Sequence, residues 1–171
     1  MKRLSSLFAV FFLIISSAFA GGDISKPASA WWYDIAFEAD QDAIRGIPVS
    51  RFDPQWASAR ALSLQHLASK VPSAELAHFK ASQFRFSMYG DLNKDGKPER
   101  VLVGVYKRKD AVVGRFLAIM RDGLPEKVFV RAGAPGFSAL LWHGGALRWY
   151  SCMECNEYET IVLAGGKFVL E

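Results

Sequence analysis

Histidine and cysteine are scarce in this chain, which narrows the chemistry that it can support. Among 171 residues there are two cysteines and three histidines, His66, His78 and His143. No motif places a serine, a cysteine or an acid beside any of these histidines, so the sequence does not support a nucleophile–base pair. The two cysteines, with His143 as the one nearby histidine, fall short of the four ligands of a structural zinc site. We therefore predict a protein without catalytic residues that is not an enzyme.

The apolar run near the N terminus is too short to cross a bilayer. This run, Leu7–Ile15, has nine residues, and a spanning helix needs about 20. Lys2 and Arg3 precede it and a stretch of small residues follows, an order typical of bacterial secretory signal peptides. No cysteine stands at the cleavage point to carry a lipid. We expect a signal peptide over residues 1–20 that is cleaved after Ala20, a flexible leader over 21–30, and a mature protein in the periplasm.

A strong charge of one sign is also missing. The chain has 21 Lys and Arg against 17 Asp and Glu, and loss of Lys2 and Arg3 with the signal peptide leaves 19 against 17, a net charge of +2. Nucleic-acid and membrane-surface binding both need a concentrated basic field. We therefore expect no nucleic-acid partner and no membrane insertion.

The pattern of residues 31–81 is mainly helical. Asp34 can cap a helix that runs towards Arg45, and Asp53-Pro54 combines a capping carboxylate with proline at the first helical position. The apolar residues that follow recur at spacings near three and four: Trp56, Ala59, Leu64, Leu67 and Ala68. A further short helix is predicted from Ser73 to Lys80. This pattern predicts a helical part over residues 31–81.

After residue 82 the apolar residues alternate with polar ones, which is typical of half-buried strands. The predicted strands fall into two sets, 84–89, 101–106, 115–121 and 127–131, then 137–142, 146–150, 158–163 and 167–170. Pairs of glycines connect strands of the second set, as in β-hairpins. We predict one α+β domain over residues 31–171, in which N-terminal helices pack on two antiparallel four-stranded β-meanders in the β part, 82–171.

The segment Asp91–Glu99 carries oxygen-bearing side chains at alternate positions around Gly96, a pattern suited to wrapping a calcium ion. It is not an EF-hand, because Leu102 occupies the twelfth position, where that loop needs glutamate. The alternative interpretation is a turn rich in Asp and Asn that bonds its own backbone and binds nothing. Repulsion between the acids favours a cation, although nearby basic residues relieve part of it. We predict a structural calcium site.

Residues 82–131 resemble an FG-GAP blade of the integrin and VCBS kind. The resemblance is carried by Phe84-Arg85-Phe86-Ser87-Met88-Tyr89-Gly90, the acidic loop, and Val101-Leu102-Val103-Gly104. It implies a four-stranded, propeller-like blade and a calcium ion held by five groups: the side chains of Asp91, Asn93, Asp95 and Glu99 and the carbonyl of Lys97. Glu99 stands where the family usually has aspartate. The strands are too few to close a propeller, so two incomplete blades are expected.

The two cysteines form the sequence Cys152-Met153-Glu154-Cys155. In an oxidising compartment a local disulfide that pins a turn between strands is the first expectation. Thiol–disulfide redox chemistry is the alternative, although reactive pairs of this spacing lie at helix N termini and this one lies among strand patterns. A haem attachment would need histidine where Asn156 stands.

Two segments are candidates for binding a partner. Trp31-Trp32-Tyr33 has the residue types that anchor interfaces, and packing in the core is the alternative. The hairpin connection near residue 110 is longer than a tight turn, and its polar residues Arg108, Lys109 and Asp110 are our candidates for insertion into a partner.

The sequence leads to a functional hypothesis at the level of class. We expect a non-enzymatic periplasmic protein that binds another protein, an inhibitor or immunity protein that occludes a secreted cell-wall hydrolase. Small periplasmic immunity proteins are similar in size and build. Two alternatives remain open: a periplasmic thiol–disulfide redox protein that uses Cys152 and Cys155, and a calcium-stabilised structural module of the envelope.

Overall fold

The computed structural model describes residues 30–171 and is mostly β-sheet. Of these residues 46% are in strand and 15% are helical, with three short helices and three small sheets. The predicted α+β class, with N-terminal helices packed on two four-stranded meanders, is therefore wrong. The predicted signal peptide and all but the last residue of the expected leader lie outside the described residues.

The N-terminal part contains the helices together with three strands. In chain order it consists of α1 Trp31–Asp34, β1 Ala43–Ile44, β2 Ile47–Pro48, a 3-10 turn Val49–Arg51, β3 Trp56–Ala61, α2 Leu64–Ala68 and α3 Ser73–Ala81. None of the helices in the described part is long and apolar enough to span a membrane.

The remaining chain forms eight strands. They are β4 Ser87–Gly90, β5 Glu99–Arg108, β6 Val113–Arg121, β7 Leu124–Ala132, β8 Ala139–His143, β9 Ala146–Tyr150, β10 Tyr158–Ala164 and β11 Lys167–Leu170.

The helix predicted after Asp53-Pro54 is instead strand β3, and a β-bulge explains the error. The register against β5 shifts between Trp56 and Ser58, which adds one residue to the strand. Trp56 and Ala59 consequently face the same side despite a spacing of three, and both join one buried cluster. A bulged strand thus imitates the period of a helix. Asp53 begins a turn, in which its Oδ1 accepts the backbone N–H of Gln55 at 2.8 Å.

The helix predicted from Asp34 towards Arg45 is absent from the described structure beyond α1. The chain runs extended and then forms the β1–β2 hairpin, whose turn has φ of 54° at Arg45 and 81° at Gly46. Two consecutive positive φ values are the geometry of a tight hairpin turn, and they exclude a helix through this point.

β5 is the central strand of the five-stranded sheet. Its order is β3-β5-β6-β7, and β4 also pairs with β5. β3 and β4 share one edge of β5, since Ala61 pairs with Gly104 and Ser87 with Leu102. The four-stranded sheet is an antiparallel meander with the order β11-β10-β9-β8. β1 and β2 form the third sheet by themselves.

The two larger sheets enclose the main core together with side chains from the helices. Phe137 lies within this core, and its ring is 5.5 Å from that of Trp31 and 6.1 Å from that of Phe79. Trp31 and Trp32 are 8% and 4% exposed, so both tryptophans belong to the core. Of the aromatic segment considered for partner binding, Tyr33 is the residue whose ring is exposed.

A second buried cluster covers the opposite face of the five-stranded sheet. Trp56 stacks on Tyr106 with 5.0 Å between ring centroids and packs on Phe116 at 4.9 Å. Gly104 pairs directly with Phe116, and a side chain at this glycine would collide with the Phe116 ring and with the carbonyl of Arg60. This close approach explains glycine in the middle of a central strand.

Candidate functional site

The acidic loop connects β4 to β5, at one end of the five-stranded sheet. Lys94 has φ of 61° and Gly96 has φ of 86°, so the backbone turns twice through the left-handed region. Glycine adopts this region without strain, which accounts for Gly96. The two turns fold residues 91–99 into a compact loop.

Three of the predicted ligand side chains converge inside this loop. The backbone N–H of Asp95 donates to Asp91 Oδ1 and to Asn93 Oδ1, both at 3.0 Å. The N–H of Gly96 donates to Asp91 Oδ2 at 2.9 Å, and the N–H of Lys97 donates to Asp95 Oδ1 at 2.8 Å. Side-chain oxygens of Asp91, Asn93 and Asp95 therefore point inward.

Asp95 is stabilised as a carboxylate. Asn93 Nδ2 donates to Asp95 Oδ2 at 2.9 Å. This hydrogen bond, and then the bond from the backbone of Lys97, lower the pKa of Asp95 below its ordinary value. A deprotonated Asp95 is the form that would ligate a cation.

Glu99 differs from the other predicted ligands because it is 1% exposed. Its Oε2 accepts the backbone N–H of Leu92 at 2.8 Å, and its Oε1 accepts from Arg121 Nη2 at 2.9 Å. The same guanidinium lies 4.0 Å from Asp95 and forms an ion pair with Glu126 at 3.0 Å. The hydrogen bond to Glu99 raises the pKa of Arg121, and the guanidinium is an internal counter-charge for the loop.

The loop fits a hard cation through four groups. Asp91, Asn93 and Asp95 present inward oxygens with a lone pair to spare, and calcium accepts carboxylate, amide and carbonyl oxygens. The carbonyl of Lys97 is the fourth group that the FG-GAP resemblance implies. Glu99 is buried and already paired with the charge of Arg121, so it would serve better as a brace than as a ligand. No group of three or more His, Cys, Asp and Glu in residues 30–171 forms a metal cluster by itself, so a site here depends on the amide and carbonyl oxygens.

A groove of about 350 Å³ lies beside the loop, between residues 91–94 and the four-stranded sheet. Two of its apolar side chains, Trp142 and Leu163, are 39% and 42% exposed. Gly90 allows this arrangement, because a side chain there would come within 2.9 Å of the Trp142 ring. We call this surface the Trp142 groove.

The three candidate partner-binding residues lie at the β5–β6 turn, which contacts residues 54 and 55. The backbone N–H of Lys109 donates to the carbonyl of Gln55 at 2.9 Å, and its Nζ donates to the carbonyl of Pro54 at 2.9 Å. Arg108 and Asp110 form an ion pair at 3.0 Å. These contacts hold the turn in place, and the side chains of Lys109 and Asp110 are exposed on it.

Cys152 and Cys155 lie at disulfide distance, with 5.8 Å between their Cα atoms. They occupy the connection between β9 and β10, where the sequence placed a bridge between strands. Cys152 is 2% exposed and no helix begins at either cysteine. Nothing in this position supplies the helix N terminus that activates thiols in redox pairs.

A serine–histidine contact was missed by sequence reasoning. Ser63 Oγ lies 3.1 Å from His66 Nδ1 and also caps α2 by accepting the backbone N–H of His66. The guanidinium of Arg60 bonds to His66 Nε2. Because a guanidinium only donates, Nε2 accepts and the proton of the neutral ring is on Nδ1, directed at Ser63. In this tautomer His66 cannot take a proton from Ser63.

Comparison of the chain with protein-family models, with curated proteins and with solved structures gives no match. The FG-GAP resemblance consequently stays an interpretation of residues 82–131.

Sequence signals exist for some of the residues that were missed. Ser63 and His66 have the spacing of a helix cap and the third residue after it, so this contact was available from the sequence. Arg121 lies 22 positions from Glu99, and Trp142 is separated from the loop by three strands, so only the sheet arrangement brings them there.

Proposed function

We propose that this protein is a non-enzymatic periplasmic protein that binds another protein, and that its target is a secreted cell-wall hydrolase that it inhibits. Calcium, in this proposal, has a structural role in the loop at residues 91–99. The class-level similarity to small immunity proteins suggests the target.

The observation that carries the proposal is the Trp142 groove. A tryptophan that is 39% exposed at the side of a concave surface is the kind of residue that anchors a protein interface. Leu163 adds a second apolar contact, while Asn93 and Lys94 supply polar groups at the opposite wall. Apolar anchors surrounded by polar groups are the usual composition of such an interface.

A calcium ion would fix the polar wall of this groove. Asp91, Asn93 and Lys94 belong both to the loop and to the groove lining. A cation that holds the loop oxygens in place reduces the entropy that these residues lose when a partner binds. Calcium is therefore expected to strengthen partner binding without contacting the partner.

The proposal is tested by inhibition assays with purified secreted amidases, muramidases and peptidoglycan endopeptidases, each in calcium and in chelator. The wild-type protein is expected to inhibit at least one class at stoichiometric concentration. Trp142→Ala should weaken inhibition by about 30-fold, the usual effect of losing an interface anchor. Asp91→Asn combined with Asp95→Asn should weaken it to the level found in chelator.

Leu163→Ala and Leu124→Ala form a matched pair, because the leucines are 42% and 49% exposed and only Leu163 lines the groove. Inhibition should fall for Leu163→Ala and stay unchanged for Leu124→Ala. Lys109→Ala tests the β5–β6 turn as the competing surface. Absence of inhibition and of complex formation with every hydrolase class would refute the proposal. Loss of inhibition in Lys109→Ala alone would show that the binding site is the β5–β6 turn and not the Trp142 groove.

A further inference from the structure

Four basic side chains converge on one groove from four separate segments of the chain. They are Arg45 in the β1–β2 turn, Lys80 in α3, Arg85 before β4 and Arg100 in β5. All four line one cavity of about 420 Å³. A second cavity of about 370 Å³ is adjacent to it, because Arg45 and Arg100 line both. We call the combined surface the arginine groove.

In the part of the chain that the structure describes, the cations of this groove have no carboxylate partner. Asp122, in the second cavity, is the acid among the lining residues. Several other cations of the chain do have acidic partners, for example Arg131 with Glu159 and Arg121 with Glu126. Like charges held together without a partner repel one another and raise the local potential.

Hydrogen bonds to neighbouring residues fix the orientation of the guanidinium groups of Arg85 and Arg100. Arg85 Nη1 donates to the carbonyls of Ser82 and Phe84 at 2.8 and 2.7 Å. Arg100 Nε donates to Ser87 Oγ at 3.1 Å, and its guanidinium lies over the ring of Tyr89 at 5.2 Å. These contacts hold the side chains in place and leave other N–H groups of each guanidinium available for an anion.

The groove also has apolar lining, which narrows the class of ligand. Leu64, which is 44% exposed, is the accessible apolar side chain of the first cavity, and the buried Leu62, Phe79 and Phe86 lie beneath it. A single phosphate would use one convergent set of donors and would gain nothing from apolar walls. A peptide with carboxylates and apolar side chains along an extended backbone would use both the charges and the walls.

We propose that the arginine groove binds an acidic, partly apolar segment of a protein partner. The proposal concerns a surface other than the Trp142 groove and does not depend on the target being a hydrolase. A partner that is steered by this charge would also associate faster at low ionic strength.

The test uses the mature protein and a synthetic peptide of alternating glutamate and leucine, with binding followed by fluorescence anisotropy. The peptide is expected to bind saturably, and more weakly as salt rises from about 0.05 M to about 0.3 M, because salt screens exposed charges. Arg45→Gln combined with Lys80→Gln should weaken binding by about tenfold. Both side chains are exposed, and circular dichroism checks that the double variant is folded.

The matched control is Lys107→Gln combined with Lys167→Gln, which removes the same charge from exposed positions outside the groove. This control should bind within about twofold of the wild type. Equal weakening by both double variants would show a non-specific charge effect and overturn the proposal. Absence of saturable binding below about 1 mM peptide would overturn it as well. Binding of inorganic phosphate that the peptide does not displace would overturn the assignment to a peptide.

Discussion

Glu99 lies where the acidic loop enters β5, and it is buried while residues 94–98 of the loop are exposed. Its two oxygens join the backbone of Leu92 to the guanidinium of Arg121. A carboxylate that is buried in this way is costly unless both partners are present. Glu99 therefore holds the loop closed from inside, whether or not a cation occupies the outer oxygens.

Replacement of Glu99 by glutamine is expected to lower the free energy of unfolding by about 1–3 kcal/mol, because the Arg121 contact loses its charged acceptor. Urea denaturation in chelator measures this change. Glu126→Gln removes an exposed partner of the same arginine and should leave the midpoint nearly unchanged. Equal stability of the two variants would show that Glu99 does not brace the loop.

His66 should make stability depend on pH. Burial, followed by the positive charge of Arg60, lowers the pKa of His66 below its ordinary value of 6.5. The unfolded chain then binds a proton before the folded chain does, so stability is complete above pH 6.5 and falls as the pH drops from there through the lowered pKa.

His66→Gln is expected to flatten this part of the profile, measured as unfolding free energy between about pH 7 and about pH 5. Asp40, whose pKa is lowered chiefly by its hydrogen bond to Arg60, loses its contribution as the pH falls below 3.8, outside this window. Parallel profiles for wild type and variant would contradict the burial of a neutral His66.

At the level of elements, local patterns predicted some segments well and failed where two strands meet. Helix α3 lies within one residue of its predicted end, because Pro72 and the residues after it define the helix locally. Strand β3 was missed because its bulge depends on pairing with β5, which is 47 residues away in sequence at the pair Ala59 and Tyr106. The acidic side chains of the loop converge because they are close in sequence, within residues 91–99.

The β9–β10 connection should keep its fold without the cysteines. A bridge between residues three positions apart closes a very short ring, so Cys152→Ser combined with Cys155→Ser is expected to cost about 2 kcal/mol of stability. Chemical denaturation measures the loss.

The reduction potential of the pair distinguishes a structural bridge from a redox site. A structural bridge should have a potential below about −300 mV and show no insulin-reduction activity. A potential in the range of roughly −270 to −120 mV, together with such activity, would favour the redox alternative.

For the molecule as a whole, the sequence did not predict how the parts are layered. Aromatic residues of α1 and α3 enter the core between the two larger sheets, while the β1–β2 hairpin contributes Ile44 to the cluster on the far face. Such layering is decided by contacts between distant segments, and periodicity reports only which side of an element is buried. The arginine groove has the same origin, since its four cations come from different elements.

Calcium should stabilise the whole domain. With a dissociation constant of about 10⁻⁴–10⁻³ M, about 10 mM calcium would add roughly 1.4–2.7 kcal/mol and raise Tm by about 3–10 °C. Asp91→Asn combined with Asp95→Asn should abolish this shift. Asp34→Asn combined with Asp42→Asn, at exposed positions outside the loop, should retain it. An equal Tm in calcium and in chelator for the wild type would show that calcium does not stabilise the domain.

Strands β3 and β4 pair with the same edge of β5, and this arrangement affects the tendency of the protein to aggregate. Long, flat strand edges recruit strands from other molecules and begin aggregates. Here β3 and β4 are six and four residues long and separated by the segment 62–86, so that side offers no continuous template. On the other side β7 contains Pro125, beside a register shift in β6. Both margins of the five-stranded sheet are thereby poor seeds for intermolecular β-pairing.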